Sequence, residues 1–544
     1  MFARIKKSGK YQYLQIVENR REGPKTIQRV IATIGRMDKL HARGSIETLV
    51  RSLSRFSEKV LLVLSDKSQA NASAKKIGPS LIFERLWREL GIKKVIKNLL
   101  PARKFEFDME RAIFVTVLHR LFTSGSDRCC DKWHRDYLIE GVRDISLHHL
   151  YRAMAFIGEE AEDQRDRTPF SPRCIKDLIE EDMFFENRNL FTGVDLVFFD
   201  TTSVYFEGQG GESLGKKGHN KDHRPELNQM VIGTVIDDHG RPICCEMWPG
   251  NTADVKTLIP VTERIRNRFN VGSFCIVADR GMISAETMKQ LDERKIPYIL
   301  GARMRKIKEI KNEVLSRAGR YREVHPEGRL SKDPSPLKVK ETWVNAHRYI
   351  VCLNSRQAHK DAADRQAIAN SLKEHITKDP KALIGNKGYR KYLRLKRDHI
   401  TIDQEKIDAD KRFDGKWVLK TNTDLSAEQV ALKYKELWQV EHAFRDIKSL
   451  LETRPVFHQR DETIRGHVFC SFLALVLRKE LYQRLEANGY RFEWSEIKQD
   501  LKSLQEIVIE DNGKSLAIRS ECLGTCSKVF QSVGVAIPPT IREI

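Results

Sequence analysis

The hydrophobic positions between residues 195 and 303 form short apolar runs that are separated by turns and by two helical stretches. Three successive strands are predicted by "DLVFFDTTSVYFE", "LNQMVIGTVID" and "PICCEMWP". Next come a predicted helix opened by Asn251-Thr252, a buried strand "FCIVADRG", a helix capped by Ser284 and a strand "PYILGAR". Strands followed by alternating helices and strands indicate an α/β fold, with a mixed sheet covered by helices.

The hydrophobic pattern divides the whole chain into five predicted regions. They are a small β-rich region over residues 1–45, a helical domain over 46–190, a block of alternating strands and helices over 191–303, a charged stretch with β-like segments over 304–424, and a helical region over 425–544. The stretch over 304–424 begins where the regular alternation of strands and helices is lost.

The net charge indicates the class of partner. With 96 Lys and Arg against 75 Asp and Glu, the formal charge is +21, which suits a polyanionic partner, and nucleic acid before a membrane. A basic protein without such a partner is the alternative. The first residues lack the apolar core of a signal peptide, and no apolar run reaches the length of a membrane span, so we predict a cytoplasmic protein that makes no membrane contact.

Two carboxylates follow apolar runs, where burial would require a partner of opposite charge. Asp200 ends the apolar run Leu196 to Phe199, and Asp279 ends the apolar run in "FCIVAD". A buried carboxylate without a partner costs several kcal/mol or gives up its charge, so such a residue normally has a compensating partner such as a metal ion. Both residues are predicted to stand at or near strand ends, where α/β proteins commonly build their sites.

A helix after "TDLSAEQ" offers a third carboxylate. At about 100° per residue, the helix has an apolar stripe and, beside it, a polar stripe. The apolar stripe consists of Leu437, Val440, Phe444, Ile447 and Leu451, and the polar stripe of Tyr434, Glu441, Arg445 and Lys448. Taken alone, the polar stripe is explained by a surface helix. Together with two carboxylates on strands, Glu441 completes a set that can hold two divalent metal ions for phosphoryl transfer.

At these residues the sequence resembles a known family. The spacing Tyr434-x2-Leu437-x3-Glu441-x6-Lys448 resembles the Y-x2-R-x3-E-x6-K motif of bacterial insertion-sequence DDE transposases of the insertion-sequence-four superfamily. The contexts "FFDTTSVYFEG", "GHNKDHRPELNQMVIG", "PGNTAD", "VADRGMIS" and "DGKWVLKTNTDLS" resemble the branch whose members carry long N-terminal regions.

The resemblance implies both a fold and a reaction. The fold would be an RNase H-like catalytic core, with its first part over 191–303 and its last catalytic helix in 425–544, interrupted by a β-rich insertion over 304–424 and preceded by a DNA-binding domain over 46–190. Asp200, Asp279 and Glu441 would bind two Mg²⁺ ions, for which Mn²⁺ would substitute. The reaction would be hydrolysis at a transposon end, followed by attack of the freed 3′-hydroxyl on target DNA. A homodimer or higher assembly would form on the DNA ends.

The resemblance also assigns DNA contacts. Tyr434 and Lys448 would contact phosphates near the cleaved end. The family's arginine position is Leu437 in this chain, and we take Arg445 as its hypothetical substitute.

Further candidates rest on local sequence, and each has a structural alternative. His219, Lys221 and Arg224 are predicted to grip the DNA backbone near Asp200, or to form a solvated loop. Trp417 is predicted to stack a flipped base, or to pack in a core. Arg454 and His458 are predicted to reach DNA, or to pack at a helix end. Asn251 and Asp254 are predicted to cap a helix, with a catalytic role as the alternative.

Two other functions stay open at this point. The first is a DNA-binding transposase descendant without catalysis, and the second is a metal-dependent DNA nuclease without strand transfer. The presence of all three carboxylates favours catalysis over the silent descendant.

Overall fold

The computed structural model of the protein describes most of the chain. The described residues are 2–22, 25–42, 45–54, 71–100, 103–168, 171–187, 195–219, 221, 224–325, 337–376, 387–396, 399–450, 453–511 and 514–543.

The strands are numbered along the described chain. They are β1 Phe2–Ser8, β2 Tyr11–Glu22, β3 Lys25–Arg36, β4 Asn71–Lys76, β5 Leu196–Tyr205, β6 Gln229–Asp237, β7 Pro242–Pro249, β8 Cys275–Ala278, β9 Tyr298–Ala302, β10 Arg322–Glu323, β11 Leu337–Val344, β12 His347–Asn354, β13 Leu393–Lys396, β14 His399–Ile402, β15 Lys416–Thr421, β16 Gln505–Asp511, β17 Lys514–Arg519 and β18 Ile541–Glu543.

The α-helices are numbered in the same way. They are α1 Met37–Ala42, α2 Ser45–Ser54, α3 Gly78–Glu89, α4 Ile92–Asn98, α5 Met109–Phe122, α6 Asp127–Trp133, α7 Leu147–Gly158, α8 Ile175–Glu186, α9 Leu258–Phe269, α10 Ala285–Glu293, α11 Ser355–His375, α12 Lys387–Arg390, α13 Gln404–Asp410, α14 Ala427–Lys435, α15 Trp438–Arg445, α16 Asp461–Ala487, α17 Trp494–Ser503 and α18 Cys526–Val533. Among the described helices, none combines the length and the apolar character that a bilayer crossing requires.

The chain folds into two compact units, of which the smaller is built from both ends of the sequence. It comprises Met1–Lys75, Ser503–Leu523 and Pro538–Ile544. Strands β1, β2 and β3 form an antiparallel sheet where the alternation in the first 45 residues predicts strands. A second sheet has the order β18-β17-β16-β4. The C-terminal region, predicted to be helical, therefore also contributes strands, because alternating segments such as "QEIVIED" pair with a distant partner.

The larger unit comprises Lys76–Lys502 and Gly524–Ile537 and contains a nine-stranded mixed sheet. The strand order is β10-β11-β12-β15-β9-β8-β5-β6-β7. Strand β8 is parallel to β5 and to β9, and the other pairs are antiparallel. An α/β fold with a mixed sheet is thus confirmed. Strands β10, β11, β12 and β15, from the region predicted as an insertion, extend this same sheet.

The centre of the sheet is buried on both faces, which explains the long apolar runs. Strand β5 is buried at eight of its ten positions and half-buried only at Asp200 and Tyr205. One face packs on α8, α9 and α10 through a core that includes Phe199, Ile276 and Tyr298. Central strands of mixed sheets carry continuous apolar residues because both faces are covered by helices. These runs therefore predict the position of β5, β6 and β8 in the sheet.

A buried ionic network joins α8 to α9 and β7. The guanidinium of Arg268 lies 2.6 Å from Glu180 and 3.2 Å from both Asp177 and Glu246. Lys176 donates to the Cys245 carbonyl at 2.7 Å. Because each of these charges has a partner of opposite sign, the network fixes the helices against the edge of the sheet.

Removing the central cation of this network should destabilise the larger unit. Arg268→Met leaves Asp177, Glu180 and Glu246 with insufficient positive charge, and we expect a loss of about 3–5 kcal/mol in unfolding free energy. Urea denaturation followed by circular dichroism measures it. The matched control is Arg294→Met, which breaks the exposed Arg294–Glu263 pair and should cost about 0–1 kcal/mol. Equal losses in the two variants would contradict a stabilising role for the network.

Candidate functional site

Asp200 and Asp279 are brought side by side by the parallel pairing of β5 and β8. Phe199 pairs with Ala278, so the carboxylates occupy the next position on each strand. Asp279 directly follows the end of β8, as predicted. Asp200 instead lies in the middle of β5, since the strand continues through "TTSVY" to Tyr205. The expectation that Asp200 ends its strand was wrong because buried threonine and serine continue the strand beyond the apolar run.

The charge of Asp200 lacks a close ionic partner among the described residues. The backbone N–H of Thr201 donates to Asp200 Oδ1 at 2.7 Å. Burial raises the pKa of Asp200 to about 6, the Lys221 ammonium opposes this shift, and the charges of Asp279 and Asp254 add to it. A cation bound next to Asp200 would therefore stabilise the charged form of its carboxyl group.

Tyr434 joins this pair from helix α14. Its hydroxyl donates to Asp279 Oδ1 at 3.1 Å. Burial, and then the charge of Asp279, raise the pKa of the Tyr434 phenol. The helix begins as predicted, because Ser426 and Gln429 form a reciprocal cap. At Gly301 of β9 an added Cβ would lie 2.2 Å from the Tyr434 hydroxyl oxygen, so glycine makes the approach of the ring to the sheet possible.

Glu441 lies on α15 and is exposed. Backbone bonds from Leu437 to Tyr434 and from Val440 to Leu437 span three residues instead of four, which tightens the helix between α14 and α15 to about 120° per residue. The regular helix of 100° per residue on which the polar stripe is predicted is therefore interrupted between Tyr434 and Glu441. Within the described chain, the three predicted carboxylates do not form a group with ligand atoms within 4.8 Å of one another.

The rest of this helical segment follows the predicted apolar stripe. Leu437, Val440, Phe444 and Ile447 are buried, whereas Leu451 lies outside the described residues. On the polar side Arg445 is exposed, and Lys448 is half-buried in a π-helical turn, Asp446–Leu450. The segment thus packs as predicted and leaves Arg445 accessible.

A further carboxylate, Asp254, to which the sequence reasoning gave a capping role, lies at this site. Its Oδ1 accepts from the Thr201 hydroxyl at 2.8 Å, and its Oδ2 lies 3.3 Å from Lys221 Nζ. The predicted capping role was wrong, because α9 begins only at Leu258 and the Asp254 side chain points to β5. The signal available in the sequence was the position of "PGNTAD" directly after β7, in a loop that reaches the same end of the sheet.

A cleft of about 450 Å³ lies beside these groups. Its lining includes His219, Lys221, Asn251, Asp254 and Arg303. His219 and Lys221, two predicted DNA contacts, therefore line the same cleft as Asp254 and as Thr202 and Ser203, which follow Asp200 on β5.

Two further predicted contacts, Arg224 and Arg454, meet at a different residue. Their guanidinium groups lie 5.6 Å and 5.9 Å from the centre of the Tyr205 ring, at the end of β5. Arg224 is also paired with Glu226. The two arginines therefore share one aromatic platform, five residues along β5 from Asp200.

Trp417 lies away from the two aspartates. It is half-buried on β15 opposite Cys352, and β15 is separated from β5 by β9 and β8. Its indole N–H has no hydrogen-bond partner within the described part of the chain.

One group in the described residues has metal-ligand spacing, namely Asp127, His458 and His467. His467 donates through Nε2 to the Thr453 carbonyl at 3.1 Å, so its Nδ1 is left as an acceptor. Arg120 Nη2 lies 2.9 Å from that Nδ1 and 3.7 Å from Asp127. Because a guanidinium already supplies the positive charge and the hydrogen bond, we interpret this group as a buried hydrogen-bond network.

Comparison with known proteins gives two family matches. Residues 193–477, more than half of the chain, match the family described as "Transposase DDE domain". Residues 3–68 match the family described as "IS1634 family transposase, N-terminal domain". None of the curated proteins gives a match. Among solved structures, a piggyBac transposase synaptic complex with hairpin DNA aligns at 12% identity and a TM-score of 0.36, covering 78% of this chain and 79% of that one.

The pKa of Asp200 makes the stability of the protein depend on pH. A carboxyl group whose folded pKa is raised from 3.8 to about 6 stabilises the fold below both values, and this contribution is lost as the pH rises through that window. Asp200→Asn should therefore raise the melting temperature at about pH 8, above both pKa values, and raise it less at about pH 4.5, which lies between them. Thermal melting in excess chelator, which keeps metal ions away, measures both. An increase in melting temperature of the same size at both pH values would contradict the raised pKa of Asp200.

The contact between Tyr434 and the sheet predicts coupling to Gly301. Gly301→Ala places a methyl group against the Tyr434 hydroxyl and should cost about 1–3 kcal/mol of unfolding free energy. In a Tyr434→Phe background the cost should be smaller, because the clashing oxygen is gone. A double-mutant cycle in urea measures the coupling. Gly272→Ala, at a site with no atom within 4 Å, is the neutral control. An identical cost in both backgrounds would refute the coupling.

Proposed function

Because the chain belongs to the transposase DDE domain family, we propose that it moves an insertion sequence by metal-dependent cleavage of its ends and strand transfer into target DNA. The family makes the chain a DNA-cleaving and DNA-joining enzyme with DNA as its partner. The observation that carries the finer proposal is the pair of carboxylates on neighbouring parallel strands, with the Tyr434 hydroxyl on Asp279.

We propose an RNase H-like core for the catalytic part of the larger unit. The antiparallel order β7-β6-β5, continued by the parallel strands β8 and β9, supports this assignment. The predicted domain boundaries, including the insertion over 304–424, remain proposals. So does the assignment of residues 46–190 to DNA binding.

The donor set fits a divalent metal ion. Asp200 and Asp279 offer hard carboxylate oxygens of the kind that Mg²⁺ prefers, and the raised pKa of Asp200 shows that its negative charge is incompletely compensated. Glu441 is the proposed third ligand, and its exposure leaves its oxygens accessible to a cation shared with DNA. Two Mg²⁺ ions, or Mn²⁺ in their place, would activate the attacking oxygen and stabilise the leaving oxygen.

The remaining proposed roles concern binding and orientation of DNA. Lys221 and His219 border the cleft beside Asp200 and would attract the phosphate backbone. Tyr434 and Lys448 would contact phosphates near the cleaved end, and the exposed Arg445 would replace the family's arginine. Arg224 and Arg454 around Tyr205, together with Trp417, are proposed as more distant DNA contacts.

The proposed setting is the cytoplasm of a bacterium, on the nucleoid, with two or more protomers assembled on the transposon ends. A nuclease without strand transfer and a silent DNA-binding descendant are the competing functions. A nuclease would cleave DNA but would not join it to target DNA. A silent descendant would bind DNA but would not cleave it in the presence of a metal ion.

The decisive experiment compares DNA nicking with Mn²⁺ or Mg²⁺ by the wild type and three variants. Asp200→Asn, Asp279→Asn and Glu441→Gln should each lower the cleavage rate by at least about 100-fold, because each removes a proposed metal ligand. DNA affinity, measured by fluorescence anisotropy, should change little. The matched control is Glu436→Gln, the same substitution in the turn that leads into α15, which should keep wild-type cleavage.

The products then separate the competing functions. Strands joined to target DNA exclude the simple nuclease, whereas cleaved but never joined DNA would favour it. Tight binding without cleavage by the wild type would favour the silent descendant. Full cleavage by any one of the three carboxylate variants would remove that residue from the proposed metal site.

A further inference from the structure

The Lys221 ammonium is held beside Asp200 by three oxygen atoms. Its Nζ donates to the Thr201 carbonyl at 2.6 Å and to the Thr201 hydroxyl at 3.2 Å, and lies 3.3 Å from Asp254 Oδ2. The backbone of Lys221 is fixed as well, because its N–H donates to the Ser203 hydroxyl at 2.9 Å. The ammonium therefore donates two hydrogen bonds to Thr201 and has Asp254 as its ion-pair partner.

The same arrangement keeps Lys221 from pairing with Asp200. Among the described contacts the ammonium makes an ion pair with Asp254 and none with Asp200. Its charge is nevertheless close enough to oppose the rise in the pKa of Asp200. The cation thus acts on the charge of Asp200 without forming an ion pair with either Asp200 oxygen.

Both oxygens of Asp254 take part in holding this cation. Oδ1 accepts from the Thr201 hydroxyl at 2.8 Å, which orients that hydroxyl, and Oδ2 faces the ammonium. Thr201 is buried, so its position is set by β5 and not by solvent. Asp254 and Thr201 therefore form a clamp that is anchored in the central strand of the sheet.

We propose that Asp254 is a positioning residue that holds Lys221 beside Asp200 and prevents the ammonium from occupying the metal-binding oxygens of Asp200. Without this clamp, Lys221 would pair with Asp200 and compete with a divalent cation for the same carboxylate. The inference rests on the proposed function, because it assumes that Asp200 binds a metal ion.

An alternative role for Asp254 is that of a metal ligand. Its two oxygens are already engaged by Thr201 and Lys221, which favours the clamp. The two roles predict opposite results once Lys221 is also replaced, because removing the ammonium repairs a lost clamp but does not restore a lost ligand.

The test is Mn²⁺ binding to the full chain without DNA, measured from the electron paramagnetic resonance signal of the free ion. Asp254→Asn should weaken Mn²⁺ binding by about fivefold or more, because Lys221 then pairs with Asp200. Lys221→Met should bind Mn²⁺ at least as tightly as the wild type. The double variant Asp254→Asn with Lys221→Met should bind like Lys221→Met alone. Unchanged melting temperatures establish that the variants fold.

Two outcomes would overturn the clamp. Wild-type Mn²⁺ affinity in Asp254→Asn would show that the clamp is unnecessary, and a double variant as weak as Asp254→Asn would make Asp254 a ligand. Asp238→Asn, in the turn between β6 and β7, is the matched control and should bind Mn²⁺ like the wild type. Asp200→Asn separates the premise from the inference, because wild-type binding by that variant, or no saturable binding by the wild type, would overturn the metal site itself.

Discussion

The parallel pairing of β5 with β8 is the constraint on which the candidate site depends. Its register, with Phe199 opposite Ala278, places two acidic residues side by side at the point where the apolar run of each strand stops. Two neighbouring carboxylates repel each other, and burial of Asp200 adds a further cost. The sheet holds them together because both strands are buried on both faces and cannot shift register without exposing apolar side chains. The other groups of the site are arranged around this fixed pair.

Two groups of buried carboxylates in the larger unit differ in whether a cation contacts them. Around Arg268, each carboxylate of the network has a guanidinium or ammonium group in contact, and the cluster joins helices to the sheet. The cation that opposes the rise in the pKa of Asp200, Lys221, is bound to Asp254 and Thr201 instead. A network in which each charge is paired serves packing, whereas a carboxylate left without a close cation beside a cleft is typical of a functional site.

Local patterns were sufficient to predict the strands around the site and the caps of two helices. Strands β5 to β9 occur where the apolar runs predict them, and Ser284 and Ser426 cap α10 and α14 as expected. What escaped prediction depends on contacts between distant segments. The role of Asp254 requires the loop after β7 to meet Thr201, more than fifty residues earlier. Similarly, β4 and β16 pair across most of the chain, and no local pattern encodes that pairing.

The change from α14 to α15 gives Tyr434 and Glu441 different surroundings. A regular helix at 100° per residue would align the two residues, but a tight turn, with hydrogen bonds that span three residues, interrupts the regular helix between them. Tyr434 contacts Asp279, and Glu441 is exposed. The same turn buries Leu437 against the core, at 6% exposure. An arginine there would lie in apolar surroundings without solvent for its charge, so leucine at this position follows from packing. Arg445, the proposed substitute for the family's arginine, lies on the exposed side of this helix, where its charge stays in solvent.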